Sequence, residues 1–101
     1  MIKVGEHITL DFLGVKKDYT PEFYEKVIYK IAKAAKVEIL NVVSHKFEPQ
    51  GFTLVALLSE SHFSFHTFPE RGVISFDFFT CGKVNPKVAL KILRNEIQHE
   101  R

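Results

Sequence analysis

Apolar and polar positions alternate along most of this chain, and the period of the alternation changes three times. From His7 to Leu13, the side chains Ile8, Leu10 and Phe12 fall on one side and His7, Thr9 and Asp11 on the other, as in a half-buried strand. Gly14 to Tyr19 is polar and turn-like. Thr20-Pro21-Glu22 then combines a hydroxyl N-cap, a proline at the first helical position and an acid in the first turn, which predicts a helix start. Tyr24, Val27, Ile28, Ile31 and Ala35 follow at one-face helical spacing, with Glu25, Lys26, Lys33 and Lys36 outside. Val37 to Phe47 returns to period 2 and predicts a long strand, closed by a hairpin-length turn at Glu48-Pro49-Gln50-Gly51.

Phe52 to Ser59 is apolar throughout, as expected of a central strand. Residues 62 to 68 sort cleanly at period 2: Phe63, Phe65 and Thr67 one way, His62, Ser64, His66 and Phe68 the other. A second turn at Pro69-Glu70-Arg71-Gly72 leads to a strand from Val73 to Thr80, with Ile74, Phe76 and Phe78 on one face and Ser75 and Asp77 on the other. Asn85-Pro86 opens a second helix whose buried side is Ala89, Leu90, Leu93 and Ile97. The elements predict one α+β domain over residues 1–101: a two-layer α/β sandwich, an antiparallel sheet with two helices packed on one face. The opposite face would carry His7, Asp11, Ser64, His66, Ser75 and Asp77, a mixture that suits contact with a second copy of the chain.

Composition narrows the function classes. Ten Phe and no Trp place much of the core in aromatic packing. No apolar run is long enough to span a membrane, and Met1 to Gly5 lacks a signal-peptide core, so neither a membrane nor a secreted setting is expected. The single cysteine excludes an internal disulfide and fits a reducing cytoplasm. A net charge of +2, with lysines spread among acids, is a solvated surface and no nucleic-acid footprint. There is no glycine-rich phosphate loop. No metal is expected either: His62 and His66, at i and i+4, lie on a strand with no thiolate pair nearby.

The chemistry concentrates in Leu58 to Glu70, two histidines among three serines, and in Phe78-Phe79-Thr80-Cys81-Gly82 with the only cysteine. Ser59-Glu60-Ser61-His62, His66-Thr67, Pro69-Glu70 and Phe79-Thr80-Cys81-Gly82 resemble the signature of the short bacterial and archaeal S-adenosylmethionine decarboxylase proenzymes. Several separate blocks in the same order and spacing make the resemblance specific, and it runs more loosely from Gly5 to about Leu93.

The resemblance implies that the Glu60–Ser61 bond cleaves itself, leaving a beta chain of residues 1–60 and an alpha chain of residues 61–101 that begins with a pyruvoyl group made from Ser61. That covalent cofactor would form a Schiff base with the amine of S-adenosylmethionine and accept electrons as carbon dioxide leaves, and the product would feed spermidine synthesis. His66 would be the proton donor in self-processing, a task suited to imidazole near neutral pH. Cys81 would protonate the substrate carbon, a thiol being tunable as an acid. Thr53 stands where the family commonly has serine to stabilise the oxyoxazolidine intermediate of cleavage; it keeps the hydroxyl and adds a stiffer χ1. Phe47, Phe68 and Glu70 match substrate-site positions, with Phe68 in place of a more usual Trp or Tyr. The aromatics could meet an adenine or a sulfonium and the carboxylate the ribose hydroxyls. The family's sites lie at the interface of a homodimer.

Each of these residues also has a plainer reading: a surface serine, a structural histidine, a buried inert thiol, core aromatics and a turn glutamate. Two other functions stay open. Relatives of this fold decarboxylate arginine or ornithine by the same chemistry. Thr53 and a chain that stops at Arg101, just after the second helix, would also suit a non-processing partner subunit without activity.

Overall fold

Five strands pair into one sheet in the order β1-β5-β4-β3-β2, every pairing antiparallel. The structure, a computed structural model, describes residues 5–59, 61–80 and 84–100. In chain order the elements are β1 (Glu6–Phe12), α1 (Pro21–Ala35), β2 (Ile39–Lys46), β3 (Phe52–Leu58), β4 (Ser61–Phe68), β5 (Val73–Thr80) and α2 (Lys87–Glu96). A single turn of 3₁₀ helix at Pro69–Arg71 joins β4 to β5. β2 to β5 form a meander through tight turns, and β1 closes the sheet beside β5.

Both helices cover one face, which is the two-layer α+β sandwich that the periodicity predicts. The covered face is aromatic. Phe65 lies 5.0 Å from Phe76 and 5.2 Å from Tyr24 of α1, while Tyr24 stacks on Phe52 at 5.4 Å, ring centre to ring centre. α1 begins as its sequence requires: Thr20 is extended, its Oγ1 accepts from the Phe23 N–H at 3.2 Å, and Pro21 occupies the first helical position. At α2, Asn85 Oδ1 accepts from the Lys87 N–H at 3.0 Å. The last described residues fold back on the start of the domain, with the Gln98 N–H donating to the Tyr19 hydroxyl and the Glu100 N–H to the Leu13 carbonyl, both at 2.9 Å.

Three details differ from the sequence reading. The strand expected over Val37–Phe47 is shorter, Ile39–Lys46, because the Val37 N–H is spent on the Ala32 carbonyl at the end of α1 and the Phe47 N–H on the Gly51 carbonyl in the turn, and its register shifts inside the strand between Ile39 and Asn41. α1 buries Ala32, and Ala35 at its last turn is only half-buried. Leu90 of α2 is likewise half-buried, the second helix resting on Ala89 and Leu93.

β3, apolar along its length, is flanked by β4 and β2, yet only its Phe52, Leu54, Ala56 and Leu58 side is buried. Val55 and Leu57 point to the open face and are 41% and 53% exposed. Val43 of β2, opposite Val55, is 64% exposed. Lone exposed apolar residues are ordinary, but these three adjoin one another on a face that no described element of this chain covers.

Candidate active site

Register stacks the open face into rows that cross the sheet. One row reads His45, Thr53, His66, Ser75 and Asp11; the next reads Val43, Val55, Ser64, Asp77 and Thr9; the third reads Asn41, Leu57, His62, Phe79 and His7. The polar residues assigned to this face from the sequence therefore lie side by side, on the β1-β5-β4 half.

The first row leads into a cavity of about 320 Å³ between the β2–β3 and β4–β5 turns. Its walls include Phe47, Thr53, His66, Phe68 and Glu70, every substrate-site and support residue singled out by the resemblance together with the histidine. The local structure explains the gathering. Thr53 and His66 are direct cross-strand partners, so their side chains emerge on the same face, and Thr53 Oγ1 and His66 Nδ1 lie 3.1 Å apart. Phe47 reaches the same spot through the tight turn after β2, closed by the Phe47 N–H to Gly51 carbonyl bond of 2.9 Å. Gly51 has φ +107°, which a side chain would resist, so the turn depends on glycine there. Phe68 shares the parity of His66, and Glu70 follows on the 3₁₀ turn. Phe47 and Phe68 are 48% and 40% exposed, a costly display unless something covers them. A larger hollow of about 980 Å³ runs along α1, but solvent-directed lysines and glutamates line it and it holds none of these groups.

Ser61 stands apart from that cavity. It opens β4 with the parity of Phe63 and Phe65, so it faces the helices, and it is 8% exposed. His66 is five residues further and on the other face, about 16 Å along a strand. Ser61 is paired with Leu58 on one side and Thr80 on the other. Its Oγ lies 3.5 Å from the carbonyl of Ser59, within its own chain. Thr80, 2% exposed, has a buried Oγ1 with no hydrogen-bond partner among the described residues. Glu60 and Cys81, the other members of the expected cleavage and acid sites, lie outside the described residues.

A second polar cluster fills the other two rows. Asp77 lies 2.7 Å from His7 Nε2 and 3.6 Å from His62 Nε2 through the same carboxylate oxygen, and its other oxygen accepts from the Ser64 hydroxyl. Burial opposes ionisation of Asp77, but the hydrogen bonds from Ser64 and His7 and the two imidazoles outweigh it and hold the carboxyl below its ordinary pKa. Alternation along each strand places His7, Ser64 and Asp77 on one face but does not join them, because the members come from three strands up to 70 residues apart. The alternating parities were the only available signal.

Comparison with known proteins gives a consistent result. The family model described as S-adenosylmethionine decarboxylase matches residues 6–101. An S-adenosylmethionine decarboxylase proenzyme of Brevibacillus brevis is 40% identical over 100 residues, spanning 96% of this chain and 75% of the relative. The proenzyme of the same name from Methanococcus vannielii is 38% identical over 104 residues, spanning 100% and 85%. Among solved structures, the adenosylmethionine decarboxylase of Aquifex aeolicus VF5 superposes with a TM-score of 0.84 at 30% identity, over 97% of this chain and 83% of that one.

Proposed function

The chain belongs to the S-adenosylmethionine decarboxylase family, and from that premise we propose that it decarboxylates S-adenosylmethionine with a pyruvoyl group made from its own Ser61. The observation that carries the reading is the cavity itself: Phe47, Thr53, His66, Phe68 and Glu70, scattered over 24 positions of sequence, line one hollow of a size for a small molecule. Glu70 offers a carboxylate to a ribose diol. Phe47 and Phe68 offer faces to an adenine ring and to a sulfonium. An arginine or ornithine substrate would leave two exposed aromatics without a purpose, so the nucleoside substrate is favoured.

Self-cleavage begins with Ser61 Oγ adding to the carbonyl carbon of Glu60. The C–N bond breaks, the hydroxyl proton passes to the freed amine, and an ester joins the two residues. Loss of a proton from Cα of residue 61 expels the Glu60 carboxylate and leaves dehydroalanine, which takes up water and releases ammonia to give the ketone. The surroundings of Ser61 fit that group: the orphaned Thr80 hydroxyl directly opposite can donate to a carbonyl oxygen there. The pyruvoyl ketone supplies the electron-accepting carbonyl on which decarboxylation depends. Thr53 anchors the His66 ring by Nδ1 and leaves Nε2 free to trade a proton. Cys81 is the proton source for the substrate carbon, on the strength of the family resemblance.

The distance between Ser61 and His66 requires a second chain if both serve one site. We assign the protein as a homodimer whose open sheet faces meet, covering Val43, Val55 and Leu57. If β4 runs antiparallel to its counterpart across that interface, the Thr53–His66 end of one copy lies over the start of β4 in the other, where the Ser61 side chain faces the helices, so residue 61 must swing to the open face to reach it. The setting is expected to be cytoplasmic; among the described residues no helix is long and apolar enough to cross a membrane.

The test is release of carbon dioxide from carboxyl-labelled S-adenosylmethionine, arginine and ornithine by the purified chain. Release from S-adenosylmethionine alone is expected, with Glu70→Gln raising KM by about tenfold through loss of a charge-assisted hydrogen bond. Release from arginine or ornithine in preference would overturn the substrate assignment, and release from none would favour the non-catalytic partner subunit.

A further inference from the structure

His7 of β1, His62 of β4 and Asp77 of β5 converge on the open face, outside the substrate cavity. Their ligand-capable atoms, two imidazole nitrogens and a carboxylate oxygen, all lie within 4.8 Å of one another. We propose that these three side chains bind one divalent transition-metal ion, zinc by preference, which clamps β1 to β4 and β5.

The geometry is close to what an ion needs. Ligands at about 2.0–2.1 Å from a tetrahedral zinc are roughly 3.3 Å from each other. Here the two Nε2 atoms lie 2.7 and 3.6 Å from the same Asp77 oxygen, so small side-chain rotations complete the set. Two imidazoles and one carboxylate form a donor set for zinc and its first-row neighbours and a poor one for magnesium or calcium. In the single chain the side chains are 48%, 44% and 25% exposed, which leaves the remaining positions to water or to a group of the facing copy. The supporting shell is present as well. Ser64 holds the second oxygen of Asp77, and the Phe79 ring packs against both imidazoles at 6.0 and 5.9 Å.

Charge gives an independent reason. Among the described residues, the open-face rows contain two carboxylates, Asp11 and Asp77, and no lysine or arginine. Ser75 satisfies Asp11 at 2.7 Å. Asp77, held by hydrogen bonds from Ser64 and His7, has only the two imidazoles near it to supply positive charge. A bound cation balances it whether the face meets water or another chain. The cluster also joins His7, on residues 1–60, to His62 and Asp77, on residues 61–101, so the ion would tie the two pieces together one residue from the cleavage point.

The experiment uses the full chain without a histidine tag, stripped with chelator. It is titrated with cobalt(II), followed by visible absorption, and with zinc(II), followed by calorimetry. One ion per chain is expected, with the intense cobalt bands of four- or five-coordination. Asp77→Asn and His62→Gln should each weaken binding by at least ~100-fold and Ser64→Ala by ~10-fold, while His45→Gln leaves it unchanged. Absence of cobalt bands in the unaltered chain overturns the proposal without reference to any variant's folding, as does undiminished binding by folded Asp77→Asn. Cleavage at residue 61 is followed in the same samples, so a chain that cleaves but binds no ion overturns the metal site alone.

Discussion

Thr53 and His66 show how much one contact decides. A single bond of 3.1 Å holds the imidazole by Nδ1, and replacing the hydroxyl by a methyl would free the ring. Thr53→Val should slow cleavage at residue 61 by at least ~10-fold while the protein stays folded, as measured by the rate at which the 61–101 piece appears. Thr53→Ser should leave that rate unchanged or raise it; a fall would remove the role given to the hydroxyl. Cys81 is tested at a later stage. Cys81→Ala should still permit cleavage, but decarboxylation should fail at reprotonation. The fragment mass after exposure to substrate should then show the pyruvoyl group converted to alanine by protonation at the wrong carbon. Near-normal turnover with an unmodified fragment would reduce Cys81 to packing. His66 and Glu70 of the cavity were legible in the sequence through short blocks that resemble a known signature, and Phe47, Thr53 and Phe68 through the looser match around those blocks. The His7–His62–Asp77 cluster was not, since no local pattern links three strands whose neighbourhood is created only by register.

At the scale of elements, each face of β4 has a separate task. Phe63 and Phe65 anchor the helices, and His62, Ser64 and His66 serve the open face. Phe65→Ala should cost about 3–5 kcal/mol in urea unfolding, since a fully buried ring in an aromatic core leaves a cavity. Thr20→Ala should cost about 1 kcal/mol through loss of the α1 cap, with the site untouched. These elements were readable because period and capping are local properties: Thr20-Pro21 begins α1 where expected, and the parities of β1, β4 and β5 hold residue by residue. The ends and the bulge of β2 were not readable, because Val37 is drawn into the end of α1, Phe47 into the turn, and the bulge arises from pairing with β3. Nor did the sequence reveal that Ser61 turns away from His66. The reading began the strand at His62, and the one extra residue sends Ser61 to the helix face.

For the molecule as a whole, the separation of the Ser61 end from the Thr53–His66 cavity ties the proposed chemistry to the proposed assembly. The exposed Val43, Val55 and Leu57 adjoin the polar rows and complete a face suited to a second copy. Light scattering at micromolar concentration should report a dimer or larger assembly. Leu57→Glu should shift it toward monomer and slow cleavage together, since a charge placed opposite its own copy is repelled. A monomeric Leu57→Glu variant that cleaves at the original rate would detach the cleavage from the interface. The most direct test of the whole account is the intact mass of the purified chain after prolonged incubation, beside Ser61→Ala treated identically. Two pieces are expected from the unaltered chain, residues 1–60 with a free carboxylate and residues 61–101 beginning with a ketone, and one uncut chain from Ser61→Ala. A single full-length mass from the unaltered chain, or cleavage that persists in Ser61→Ala, would contradict it.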